Sequence, residues 1–153
     1  MSTITERLAQ LGLALPEVAK PVAAYVPAVI SGDLVYTSGQ LPFVEGKLAF
    51  TGKVGSDVSA QDAQAQARVA ALNALAAAQQ VLGSLDRVTA VVKVVGFVAS
   101  DPTFTGQPAV INGASELLGE VFGDAGQHAR SAVGVAVLPL DSPVEVELIL
   151  RYS

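Results

Sequence analysis

Between Ala60 and Leu82 the apolar residues recur three and four apart, at Ala63, Ala67, Ala70, Ala71, Ala74, Leu75, Ala78 and Leu82. That spacing predicts a helix that buries one face. Ser59 with Asp62 three residues on forms a variant capping box at its start, and Gly83 stands where a left-handed residue closes a helix. Val88 to Val98, VTAVVKVVGFV, has the opposite character: an almost unbroken β-branched run with one charge, expected of a central strand buried on both faces. A second helix is predicted over roughly Gln107 to Phe122, followed by strands at Ser131–Leu138 and Val144–Leu150 on either side of Pro139-Leu-Asp-Ser-Pro143. Upstream, Ala24 to Pro42 holds two short β-branched or aromatic runs joined at Ser31-Gly32-Asp33, a hairpin with a Gly-Asp turn. A third short strand is expected near Leu48 to Thr51, and Thr3 to Leu13 reads as a weak amphipathic helix that Gly12 and Pro16 would end. The order β-β-(β)-α-β-α-β-β predicts an α+β domain with its helices on one sheet face. The other face then needs a cover, most simply a second subunit.

Composition narrows the chemistry. The chain has 153 residues, a size at which one domain can build its own core without staples. With no cysteine and one histidine, His128, it offers no thiol nucleophile, iron–sulfur cluster or multi-histidine metal site, so no metal is expected. Nine basic against fourteen acidic residues, a net charge of −5, argue against a surface built to bind nucleic acid. No apolar stretch approaches the roughly 18 residues of a membrane span. The start, MSTITERLAQLGL, lacks the apolar core of a signal peptide, and a cytoplasmic protein is expected. Half of the chain is hydrophobic on few charges, which points to apolar surface buried between subunits.

Two places could hold chemistry. In RSAVGVAVLP the period of two sets Arg130, Ala132, Gly134 and Ala136 on one strand face. Small side chains beside a guanidinium leave room for a ligand carboxylate, which the guanidinium fork matches; a strand-end arginine in an ordinary ion pair is the other reading. In VEVELIL, Glu145 and Glu147 share a face. They are either two solvated acids, or one of them is partly buried with a pKa raised towards neutrality, suited to proton transfer. Tyr25, Ser38 and Asn112 are ordinary polar positions until something groups them, and His128, near Arg130, reads as a bystander.

These residues also carry a resemblance. Tyr25, then Tyr36-Thr-Ser-Gly-Gln-Leu-Pro42, Gln66-Ala-Arg68 with Asn73, Val91-Val-Lys93 with Phe97, Asn112, and finally Arg130-Ser-Ala-Val-Gly-Val-Ala-Val-Leu-Pro139 with Val144-Glu-Val-Glu147 run in order across about residues 24–151. In residue type and spacing they resemble the RidA (YjgF-like) family of enamine/imine deaminases. The resemblance implies one RidA-like domain over residues 1–153, with 1–20 as an accessory segment. It implies a chorismate-mutase-like α+β fold, a mixed six-stranded sheet backed by two helices, in a homotrimer with sites between subunits. It also implies hydrolysis of small reactive 2-enamino or 2-imino acids, such as 2-aminoacrylate, to 2-keto acids and ammonia without a cofactor. By position, Arg130 matches the carboxylate-binding arginine and Glu145 the acid beside the attacking water; Tyr25, Ser38, Gly39 and Asn112 match further substrate-binding positions. The chain departs from the pattern at Ala132, where well-known members carry cysteine, and at Ser115, where many carry an aromatic residue. A trimeric carboxylate binder without catalysis is the alternative, and ribonuclease action finds little support in an acidic chain with few aromatics.

If the last two strands made a simple hairpin, Glu145 would face Val137, about 23 Å along the strand from Arg130. A shared site therefore requires either that these strands are not neighbours or that one residue comes from an adjacent subunit.

Overall fold

A computed structural model describes residues 2–21 and 23–153. Helix α1 (Ile4–Gln10) is followed by the hairpin β1 (Ala28–Ser31) and β2 (Leu34–Thr37), the long helix α2 (Ala60–Leu82), β3 (Val88–Ala99), α3 (Gln107–Phe122), β4 (Ala129–Val135) and β5 (Val144–Tyr152). The strands order as β1-β2-β5-β3-β4. All neighbours are antiparallel except β3 and β4, which run parallel. That pair needs a crossover, and α3 supplies it.

Helix α2 begins where Ser59 accepts a hydrogen bond from the Asp62 backbone and ends at Gly83, whose φ of +84° only glycine adopts freely. Its alanines pack against β1, β2 and β5, while α3 packs on α2 and over β3 and β4. The two helices meet closely because Gly113 on α3 lies against the Gln64 carbonyl of α2. Between helices and sheet lies one core of Val94, Val98, Ile111, Leu117, Val146, Leu148 and Leu150, all at most 1% exposed.

The sheet has five strands among the described residues, not six, and the α-helices are three, not two. The segment at Leu48–Thr51 does not pair as a strand: Glu45 and Gly46, both at positive φ, turn the chain back so that only Val44 and Lys47 bridge each other. Contact with the sheet falls to the buried Val54, which forms a single parallel bridge to Ser100 just beyond β3. The third helix is the N-terminal one, fixed by a complete capping box between Thr3 and Glu6. Its Leu8 enters the core, and the Ile4 amide donates to Asp86 Oδ1 at 2.7 Å.

Strand β3 is not buried on both faces within one chain. Val91, Val94 and Val98 lie under the helices, while Val95 and Phe97 on the other face are half-buried. The same open face carries Val29, Tyr36 and Val133, which are 49%, 39% and 44% exposed.

Gly113→Ala would drive a methyl group into the Gln64 carbonyl. Overpacking of this kind costs about 1–3 kcal/mol, and urea denaturation should show a loss of that size; an unchanged midpoint would contradict the close α2–α3 approach.

Candidate functional site: two half-sites on opposite faces

Arg130 pairs with Val94 across the parallel β3–β4 ladder, so its side chain shares the helix-covered face with Val94 and reaches α3. There Nη1 donates to Asn112 Oδ1 at 2.8 Å and to Ser115 Oγ at 3.3 Å. Asn112 and Ser115 are three residues apart on α3 and so share one face of that helix. Ser115 Oγ also lies 2.8 Å from His128 Nε2, and His128 Nδ1 lies 2.6 Å from the Gly126 carbonyl. His128 is therefore no bystander. The signal that could have found it is its spacing: two residues before Arg130 at the entrance to β4, it points to the same side.

The other half surrounds Glu145. After β2 the chain continues along β5, with Tyr36 opposite Ile149 and Gln40 opposite Val146, so three residues, Thr37 to Gly39, stand against two. This bulge brings Gly39 against the Glu145 carboxylate, where a Cβ would collide with Oε1. Ser38 donates its hydroxyl to the Val26 carbonyl at 2.6 Å and its amide to Pro27 at 2.8 Å, tying the segment that carries Tyr25 to the end of β2. Tyr25, Gly39 and Glu145 line one cavity of about 150 Å³, and Lys20 and Pro21 of the N-terminal segment form part of its wall. Burial pushes the Glu145 carboxyl above the ordinary range, and the neighbouring Glu147 charge adds to the shift.

The structure thus joins Arg130 with Asn112, and Glu145 with Tyr25 and Gly39, while Ser38 lies outside the cavity lining and only ties the Tyr25 segment to β2; the two groups are kept apart. Strands β4 and β5 are not neighbours, since β3 lies between them. On β3, Arg130 is level with Val94 and Glu145 with Phe97, three positions apart and hence on opposite faces. Within one chain the two cannot share a site: they are about 10 Å apart along the strands and about 10 Å across them, on the two sides of the sheet. Among the described residues no three His, Asp or Glu side chains gather as a metal site, and no helix is long and apolar enough to cross a membrane.

The family model described as "YjgF/chorismate_mutase-like, putative endoribonuclease" matches residues 5–151. The chain belongs to the RidA/YjgF family. A RidA/YjgF relative in Salmonella typhimurium, named 2-iminobutanoate/2-iminopropanoate deaminase, is 35% identical over 128 residues, covering 84% of this chain and 87% of that protein. Protein TCP17 of Trypanosoma cruzi is 45% identical over 151 residues, covering 98% and 94%. The crystal structure of an Agrobacterium tumefaciens protein of unknown function superposes with a TM-score of 0.92 at 48% identity, covering 98% of this chain and 92% of that one. The family resemblance read from the sequence therefore holds; of the two positions read as departures, Ser115 contacts Arg130 and Ala132 packs against the core.

A carboxyl whose folded pKa lies above its unfolded value weakens the fold once charged, so stability is greatest below the ordinary glutamate range and falls as pH rises through the shifted pKa. Glu145→Gln should thus raise the denaturation midpoint at pH 8, with the gain closing as pH falls below about 4. A gain that is constant with pH would contradict the burial of a charge at this position.

Proposed function

We propose that the protein hydrolyses small 2-imino acids to 2-keto acids and ammonia at a site formed between copies of the chain. The observation that carries this reading is the separation of two complementary halves: a guanidinium held on one sheet face, and a half-buried carboxyl with raised pKa on the other. A neighbouring copy brings the second half to the first. The open apolar face around Val29, Tyr36 and Val133 gives copies a reason to associate, and a homotrimer closes such an arrangement with three equivalent sites. The name of the Salmonella relative supplies the substrate class.

Arg130 has both Nη1 hydrogens committed to Asn112 and Ser115, which leaves Nε and Nη2 to take a substrate carboxylate side-on in two charge-assisted hydrogen bonds. The imine carbon is then fixed near the carboxyl of the partner half. Protonated imine is already electrophilic. Glu145, ionised, takes a proton from water as the oxygen bonds to the imine carbon, giving a neutral carbinolamine. It returns that proton to the nitrogen; the carbon–nitrogen bond breaks as the hydroxyl becomes the ketone, and ammonia takes up the hydroxyl proton and leaves as ammonium. No electrons are transferred, and the carboxyl ends as it began. Its raised pKa brings it closer to the working pH, where proton uptake and return are both accessible.

The test is the hydrolysis of enzymatically generated 2-iminopropanoate. The unmutated protein should accelerate it, and Glu145→Gln should lower kcat at least about a hundredfold. Arg130→Ala should raise KM steeply. A folded protein that binds pyruvate but gives no acceleration would replace deamination with carboxylate binding alone.

A further inference from the structure

Beyond the two groups that meet substrate, a second layer of polar side chains stands behind Arg130. The Gly126 carbonyl can only accept, so His128 Nδ1, 2.6 Å away, carries the hydrogen. In the neutral ring Nε2 is then a lone pair, and Ser115, 2.8 Å away, donates its hydroxyl hydrogen to it. With that hydrogen turned towards the ring, the oxygen lone pairs of Ser115 face Arg130 Nη1 at 3.3 Å. In the neutral ring the direction of every bond from Gly126 to Arg130 is thereby set by the one group that cannot reverse. Asn112 Oδ1 takes the remaining Nη1 hydrogen at 2.8 Å. Backbone anchors the relay at one end, and its other end is Nη1 of the Arg130 guanidinium.

We propose that Ser115 and His128 are positioning residues that, by holding Nη1, stop the Arg130 guanidinium from turning about its Nε–Cζ bond, so that Nε and Nη2 are presented to a ligand carboxylate. The ligand part of this inference rests on the imino-acid reading above; the locking of Arg130 does not. Without the His128 lone pair the Ser115 hydroxyl is free to turn its hydrogen towards Arg130, and an acceptor becomes a competing donor. Without the Ser115 oxygen one Nη1 hydrogen has no acceptor, and the guanidinium can rotate to offer other edges. Neither residue needs to touch substrate for this to matter.

Two readouts test the proposal. The first is the NMR spectrum of the Arg130 Nη hydrogens, assigned by their disappearance in Arg130→Lys. They should be resolved in the unmutated protein, averaged by rotation in Ser115→Ala and His128→Phe, and resolved again in His128→Gln, whose amide oxygen can take the place of Nε2. The second is the dissociation constant of pyruvate, a stable 2-keto acid. It should rise about tenfold in Ser115→Ala and His128→Phe and stay within about twofold of the unmutated value in His128→Gln. Arg130 signals that remain resolved in Ser115→Ala and His128→Phe overturn the positioning role. Signals that average as expected, in a protein that binds no pyruvate, uphold the locking of Arg130 and overturn the carboxylate reading of the site instead.

Discussion

Side chains on a β-strand alternate between two faces, and here that alternation decides what one chain can do. Because Val94 and Phe97 differ by three on β3, the residues level with them, Arg130 and Glu145, are sent to opposite sides of the sheet. No side-chain rotation crosses a packed sheet. The guanidinium is consigned to the layer between sheet and α3, and the carboxyl to the side that the helices leave open. The arrangement of the rest of the molecule follows from this separation. Helix α3 supplies the acceptors that hold Arg130, and the bulge at Thr37–Gly39 makes the space in which Glu145 is half-buried.

The open face is the physical counterpart of that division. A sheet whose outer side carries Val29, Tyr36, Val95, Phe97 and Val133 keeps apolar surface in water unless something covers it. Covering it with another copy removes the surface from water and, in the proposed assembly, completes the site. Stability and function would then draw on one event. The N-terminal segment adds a local refinement, since Lys20 and Pro21 help to wall the cavity beside Glu145 while Leu8 fastens the segment's helix to the core.

Much of the fold was legible because it is local. The limits of α2 follow from Ser59 and Gly83, the hairpin from Gly32, and the strands β3 and β5 from their apolar runs. The expected sixth strand failed because Glu45 and Gly46 fold the chain back before Leu48, a matter of two backbone angles that hydropathy does not report. The face of Arg130 relative to its own strand was also legible, but its face relative to Glu145 was not, since that depends on β3 entering between β4 and β5. The spacing of His128, two residues before Arg130, put it on the same side but did not show what joins them; only the fold brings Ser115 between the two.

The most direct test of the account is complementation between two defective chains. At substrate well below the raised KM, Arg130→Ala and Glu145→Gln are each expected to retain little activity towards 2-iminopropanoate. Co-expressed in equal amounts and assembled at random, they should form mixed oligomers in which about a quarter of the sites draw an intact arginine from one copy and an intact glutamate from its neighbour. Recovery of about a quarter of the unmutated activity is the predicted result. Activity no greater than the sum of the two parents would contradict a site shared between copies.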